Sequence, residues 1–479
     1  MIKFKIPISN NLIKNAGLSR SVAWYGIGNI FIRFLSFAVL PIYSHLITTT
    51  EFGNYALLMS IYSIVAVIYQ FGTQGVLNKF YIEESDEEKR KIIFSSILNS
   101  LIILGLALTL ILSFTSIRVS FLIFGNADFS PLLLLVYSSI FFDSLSVYVI
   151  SLLKTKELAK KSVYYSLIGA ISNFIFNIIF VYILRLSVAG ILLAQLASGV
   201  LLLAVLIGTI KKEYVLKIES KVFKTILFFS LPLLAANLFT TGVNFGDRFI
   251  LNYFVGIEEV GLYSFAYRIA MIMNVLVISF GTAWSPRSIN MYYNNDYKNY
   301  YGKILTKLVA ISCILLLSVS LLAQYLFKIH ISNISLFNSV YSPGMIILPF
   351  VMIGYIFSAI SAFYSVYPFI SNKSFHFLIA DFIAFLSNIV INFILIPRFG
   401  ILGAAFATMI AFLFSAAYMF LISKRKIQIN YQVKELFIII FIAIIFLLLG
   451  LNIQNILVHL TLIVVYILIL YFMVKIKFT

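Results

Sequence analysis

Long apolar stretches alternate with short polar breaks from one end of the sequence to the other, and this segmentation limits the possible folds more than any motif does. Fourteen stretches stand out, at about residues 21–47, 54–78, 92–116, 131–153, 162–184, 188–210, 225–252, 260–286, 304–327, 343–366, 377–396, 400–423, 435–450 and 455–474. Crossing the hydrocarbon core as an α-helix takes roughly 20 residues, and only the thirteenth stretch is clearly shorter. A helix satisfies its own backbone hydrogen bonds, which lipid cannot do. Composition removes the alternatives. The chain is 62% apolar or aromatic and only 11% charged, against about 45–50% and 25% in soluble domains. It is too poor in charge to cover a wetted surface and too hydrophobic to be disordered. The expected fold is an all-α polytopic membrane protein with 14 transmembrane helices.

Basic residues test that count. Lys and Arg collect on cytoplasmic segments of membrane proteins. If residues 1–20 are cytoplasmic, 28 of the 35 Lys and Arg fall on the same side, and only Arg118, Arg185, Lys328 and Arg398 on the other. A missed span would invert this bias partway along, and no inversion occurs. Both termini are therefore expected in the cytoplasm. The net charge of +18 is mostly topology and does not call for a nucleic-acid partner. The basic lead precedes an apolar stretch too long for a cleavable signal peptide. Cys313 has no partner for a disulfide, and His45, His330, His376 and His459 are too scattered for a metal site. No GxxxxGK[ST] sequence is present, and no cofactor is expected.

An internal repeat is visible. Ser172-Asn173-Phe174-Ile175-Phe176-Asn177 matches Ser387-Asn388-Ile389-Val390-Ile391-Asn392. Nearer the start of each half, Glu51-Phe52-Gly53-Asn54-Tyr55 and Phe71-Gly72-Thr73 match Glu259-Val260-Gly261-Leu262-Tyr263 and Phe280-Gly281-Thr282. Six helices per unit is an even number, so the units are parallel in the membrane. The expected division is a cytoplasmic N-terminal segment 1–20, a six-helix bundle 21–210, a cytoplasmic linker 211–224, a second six-helix bundle 225–423 and two additional helices 435–474.

Three basic residues remain inside spans: Arg33, Arg248 and Arg268. A charge at the bilayer centre costs at least about 2.5–3.5 kcal/mol, so it faces a cavity more often than lipid. Arg33 lies about 18 Å into the first span at 1.5 Å per residue, and Asp143 in the fourth is its candidate ion-pair or coupling partner. Arg268 lies about 12 Å below the outer end of the eighth. Asp247 and Arg248 close the seventh span, where a local interfacial pair competes with ligand contact. Asp381 falls in the first turn of the eleventh, where a helix N-terminus favours an anion, and is the second candidate for coupling. Asn173/Asn177 and Asn388/Asn392 are spaced to hydrogen-bond between helices. Pro41, Pro232 and Pro349 should interrupt the first, seventh and tenth spans. Arginine's planar fork of donors suits phosphate, which points to an anionic, phosphate-bearing cargo.

The run Leu40-Pro41-Ile42-Tyr43-Ser44, Glu51 to Ala56 and Gln70-Phe71-Gly72 resembles the start of O-antigen and capsule-type polysaccharide flippases. These belong to the multidrug/oligosaccharidyl-lipid/polysaccharide exporter superfamily. Asp247-Arg248-Phe249-Ile250, then Val260-Gly261-Leu262-Tyr263-Ser264 and Tyr267-Arg268, resembles its helix 7–8 signature. The resemblance implies a non-enzymatic carrier in the bacterial cytoplasmic membrane. Its cargo would be an undecaprenyl-diphosphate-linked oligosaccharide, moved from the inner to the outer leaflet. The diphosphate would meet Arg33 and Arg268, with Asp247 and Arg248 as further cavity residues. Implied partners are the lipid-linked oligosaccharide, membrane lipids and a polysaccharide polymerase or chain-length complex. The alternative is a cation-coupled drug or metabolite exporter of the same superfamily.

Overall fold

The computed structural model describes residues 15–478 except 217–219, 294–295, 332–333, 372 and 374. Eleven helical segments are long and apolar enough to cross a membrane, and the pair Ile257–Ala270 and Ile272–Tyr292, bent by 43°, makes a twelfth. The 50-residue helix Phe375–Lys424 is really two. Gly400 adopts φ 55°, ψ −131°, and Asn388 Nδ2 lies 3.5 Å from Thr408 Oγ1. In a straight helix, 20 residues would separate these side chains by about 30 Å, so the chain has folded back into spans 11 and 12. Ser220–Phe245, continued by Asp247–Val255, completes fourteen.

Named in order, span 1 is Asn15–Ala38 with Leu40–Leu46, span 2 is Thr49–Gln70 with Thr73–Glu83, span 3 Glu87–Phe124 and span 4 Ser130–Thr155. Span 5 is Ala159–Asn177 ending in the π-helical turn Ile178–Ile183, and span 6 is Ser187–Ile210. Spans 7 and 8 are the two broken pairs already given. Span 9 is Tyr297–Leu322 with the 3-10 turn Ala323–Phe327. Span 10 joins the 3-10 segment Ser339–Ile347 to Leu348–Phe363 and Val366–Ile370. Spans 13 and 14 are Val433–Asn452 and Ile456–Phe478. Both packed against span 9, they lie beside the second six-span group.

Some expectations shift. Span 13 is longer than expected, adding Val433 and Lys434 at its start and Leu451 and Asn452 at its end. The outer loop expected over 117–130 is helix as far as Phe124, where Gly125 ends it in the left-handed region at φ 79°. The remaining long loop holds a two-residue β-ribbon, His330–Ile331 against Ile334–Ser335. Pro41 and Pro349 each sit at the start of a helical segment, where a missing N–H costs nothing. Pro232 lies within Ser220–Phe245, and span 7 breaks at Gly246 instead.

The two halves meet most closely at the far end of the molecule, away from residues 15 and 478. Span 2 begins there with a capping box: Glu51 N–H donates to Thr48 Oγ1, and Thr48 N–H donates to Glu51 Oε2. Span 2 then crosses span 8 at Gly53 and Gly261, the matched glycines of the repeat. A Cβ on Gly53 would overlap the Ile257 carbonyl oxygen, and a Cβ on Gly261 would overlap that of Thr49. Each glycine thus accepts the backbone of the residue four before its counterpart. The crossing is ringed by Phe52, Phe265 and Tyr341. Tyr341 donates to the Ile47 carbonyl at 2.7 Å, and Thr49 Oγ1 donates to Glu258 at 3.1 Å.

Candidate functional site

Charged and polar side chains gather at the level where the helices lose regularity. Span 1 breaks at Val39, span 7 at Gly246 and span 8 at Met271, and span 5 turns π-helical after Asn177. Irregular backbone at membrane depth is tolerated where protein or a water-lined space satisfies it.

Arg268 occupies the last turn before the Met271 break, eleven residues past Ile257 and so about 16 Å from the far end. That is deeper than the sequence suggested, and unfavourable for snorkelling. Its Nη2 donates to Tyr55 Oη at 2.5 Å. Its guanidinium lies 5.0, 5.6 and 5.9 Å from the ring centres of Tyr55, Phe52 and Tyr43. All three rings come from the other half of the molecule. Arg268 stays half-buried, and no carboxylate pairs with it among the described residues.

Arg33 is half-buried as well and forms no ion pair within 4.0 Å among the described residues. Asp143 is not its partner. Instead Asp143 Oδ2 accepts from Tyr62 at 2.6 Å and from Gln195 at 2.7 Å, while Gly199 leaves room for Oδ1. Arg33 lies within electrostatic reach of Tyr355 on span 10. The Tyr355 hydroxyl is 3.1 Å from that of Tyr267 and 3.2 Å from Asn244 Oδ1.

Asp247 and Arg248 are fully interior, 0% and 5% exposed, and form the local pair that competes with ligand contact. Arg248 Nη1 donates to Asp247 at 3.0 Å and to the Asn244 carbonyl at 2.5 Å, with Tyr267, Phe245 and Tyr263 around the guanidinium. Tyr263 donates to the second Asp247 oxygen at 2.5 Å. The pair is closed on itself. Asp381 stands in the second turn of span 11 beside Thr240 of span 7 and forms no ion pair within 4.0 Å among the described residues.

A hydrogen-bonded chain runs through the first half. Tyr43 donates to Asn177 at 2.6 Å, Asn177 to Asn173 at 3.1 Å, Asn173 to Gln195 at 3.2 Å, and Gln195 to Asp143. The second half repeats its centre: Asn392 donates to Asn388 at 3.0 Å, and Asn388 turns to Thr408 of span 12. The asparagine pairs therefore bond between spans, as their spacing implied. The sequence reading missed Tyr62, Gln195, Asn244 and Tyr355, and quoted Tyr43, Tyr55, Tyr263 and Tyr267 without giving them a role. A tyrosine in an apolar run scores as one more apolar residue, so only the i, i+4 pair Tyr263/Tyr267 ahead of Arg268 offered a signal.

Relatives agree with this architecture. The family model described as "Polysaccharide biosynthesis protein" matches residues 18–292. An uncharacterized membrane protein of Methanocaldococcus jannaschii is 25% identical over 462 residues, 89% of this chain and 87% of that protein. Among solved structures, the lipid II flippase MurJ in an inward closed conformation superposes with TM-score 0.76 at 19% identity, over 93% of this chain and 98% of that one. A multidrug resistance MATE family transporter of the MOP superfamily, inward-facing, gives 0.70 at 16% identity, over 84% and 98%. A MOP superfamily transporter from Pyrococcus furiosus gives 0.64 at 17%, over 86% and 95%. Helix count, interior arginines and family match converge: the chain belongs to the polysaccharide biosynthesis protein family, a multi-pass membrane protein on the MurJ- and MATE-like fold.

Proposed function

We propose that this protein is a flippase that carries a lipid-linked oligosaccharide with a diphosphate head from the inner to the outer leaflet by alternating access, for cell-surface polysaccharide synthesis. The observation that carries the reading is the pair of uncompensated arginines, Arg33 and Arg268, one in each half and both half-buried at membrane depth. A cation kept without a carboxylate in a low-dielectric site is a standing attraction for an anion. The printed name of MurJ, a flippase of lipid II, supports the same class of cargo. Asp247 and Arg248 serve this reading as a fixed internal pair beside the site. Asp143, an interior acid without a cationic partner among the described residues, favours the second reading, a cation-coupled exporter.

The test is a leaflet-specific assay of lipid-linked sugar in cells lacking the protein. Sugar should accumulate on the cytoplasmic leaflet, and normal outward delivery would overturn the flippase reading. Complementation by Arg33→Ala or Arg268→Ala, at normal membrane level, should lower delivery about tenfold or more, the scale of one charged hydrogen bond. Export of cationic dyes with undisturbed lipid-linked sugar would favour the exporter.

A further inference from the structure

We infer that Tyr55 is a latch: it occupies Arg268 when no cargo is bound, and an anionic diphosphate that takes Arg268 from it releases the closed far end. This rests on the flippase reading and adds how cargo controls the gate.

Three features of the structure combine. The bond from Arg268 to Tyr55 joins the two halves, because Arg268 is on span 8 and Tyr55 on span 2. It lies on the same two helices as the Gly53–Gly261 crossing, two residues beyond Gly53 on one and seven beyond Gly261 on the other. Breaking it therefore loosens the contact that shuts the far end. The backbone-to-backbone crossing lies between Arg268 and that end, yet Arg268 is only half-buried. The rings of Tyr55, Phe52 and Tyr43 cover part of its guanidinium, and the latch assigns the uncovered part to the cargo head.

Competition follows from charge. A neutral phenol hydroxyl is a weaker acceptor for guanidinium than a phosphate oxygen, which brings charge and fork geometry together. Tyr55 holds Arg268 in place without satisfying its charge, so a diphosphate displaces it. Tyr43 and Phe52 keep the guanidinium positioned through the exchange. Tyr55 is a positioning residue, with no cargo contact of its own.

The experiment uses full-length protein in nanodiscs with Cys313→Ser, Asp128→Cys and Val340→Cys, the last two exposed positions at the far ends of opposite halves. Spin labels report the distance between them by electron–electron resonance, and binding of a polyprenyl diphosphate is measured on the same samples. In the otherwise unaltered protein, the lipid should convert a short distance into a longer one. Tyr55→Phe keeps the ring and loses the bond. It should show the longer distance without lipid and bind diphosphate about tenfold more tightly, because a competitor worth about one charged hydrogen bond is gone.

Unchanged distances and affinity in Tyr55→Phe would overturn the latch, and weaker binding would make Tyr55 a cargo contact and overturn it equally. If the unaltered protein and Arg268→Gln bind polyprenyl diphosphate no differently, Arg268 is not its receptor, and both the latch and its role in the flippase reading fall. Arg268-dependent binding with a silent Tyr55→Phe sinks the latch alone.

Discussion

Asp247 and Arg248 show what one atom's partner decides at membrane depth. Their mutual bond, the Tyr263 hydroxyl and the Asn244 carbonyl together satisfy a carboxylate and a guanidinium that water does not reach. Removing one partner leaves the other buried and unpaired, which costs about 3–5 kcal/mol. Arg248→Met should accordingly lower the unfolding midpoint in detergent sharply. The double variant Asp247→Leu with Arg248→Met should recover most of the loss, since a well-packed apolar pair replaces a costly ionic one. A stable Arg248→Met would mean that the pair is wetter than its burial implies. The sequence identified these residues and offered a local pair as the alternative to ligand contact, and the local pair is what forms. Its burial was not legible, because the rings and the Asn244 carbonyl that enclose it come from the tertiary packing. Hydropathy reports how long a segment is and is silent on which of its residues the packing encloses.

Among the elements, the crossing of spans 2 and 8 is the most exacting. Helix backbones approach this closely only where both contributing residues lack a side chain. Gly53→Ala or Gly261→Ala puts a methyl against a carbonyl oxygen, and overpacking of that kind costs about 1–3 kcal/mol. The closed far end should lose ground to an open one by roughly fivefold or more, read as a longer distance between the same two spin labels. An unchanged distance would mean that the crossing does not hold the far end shut. Here the sequence was more informative. The repeat aligns Gly53 with Gly261, the two positions at which the backbones meet. It did not reveal that the two copies touch each other. The copies have also diverged: Phe71-Gly72 ends a helix with two left-handed residues, while Phe280-Gly281 runs through an unbroken one.

For the whole molecule, span number was legible and span orientation rests on charge. Length against membrane thickness is a one-dimensional constraint, so fourteen spans could be counted from apolar runs alone. The interior polar layer could not, because it is assembled from residues far apart in the chain, such as Tyr43 with Asn177 and Tyr55 with Arg268. Orientation has a direct check. Cys313 is the single cysteine and is buried, so introduced cysteines give a clean signal in intact cells. Asp128→Cys and Val340→Cys should react with an impermeant maleimide from outside, and Glu88→Cys and Gln428→Cys only after permeabilisation. The reverse pattern would invert the topology and with it the direction of transport proposed above.

The matched glycines carry a historical consequence. On the duplication that the repeat implies, two matched positions that press against each other form a self-complementary surface, the kind by which two identical subunits join about a twofold axis. Fusing such subunits frees each copy to change alone. Counting from the glycines, Arg268 stands where the first copy has Ser60, and Tyr55 bonds that arginine while its duplicate Tyr263 bonds Asp247. A symmetric pair would place the same charge on both sides of its axis. The fused chain can carry an arginine on one side and a serine on the other, and that inequality lets a symmetric scaffold prefer one sequence of movements over its reverse.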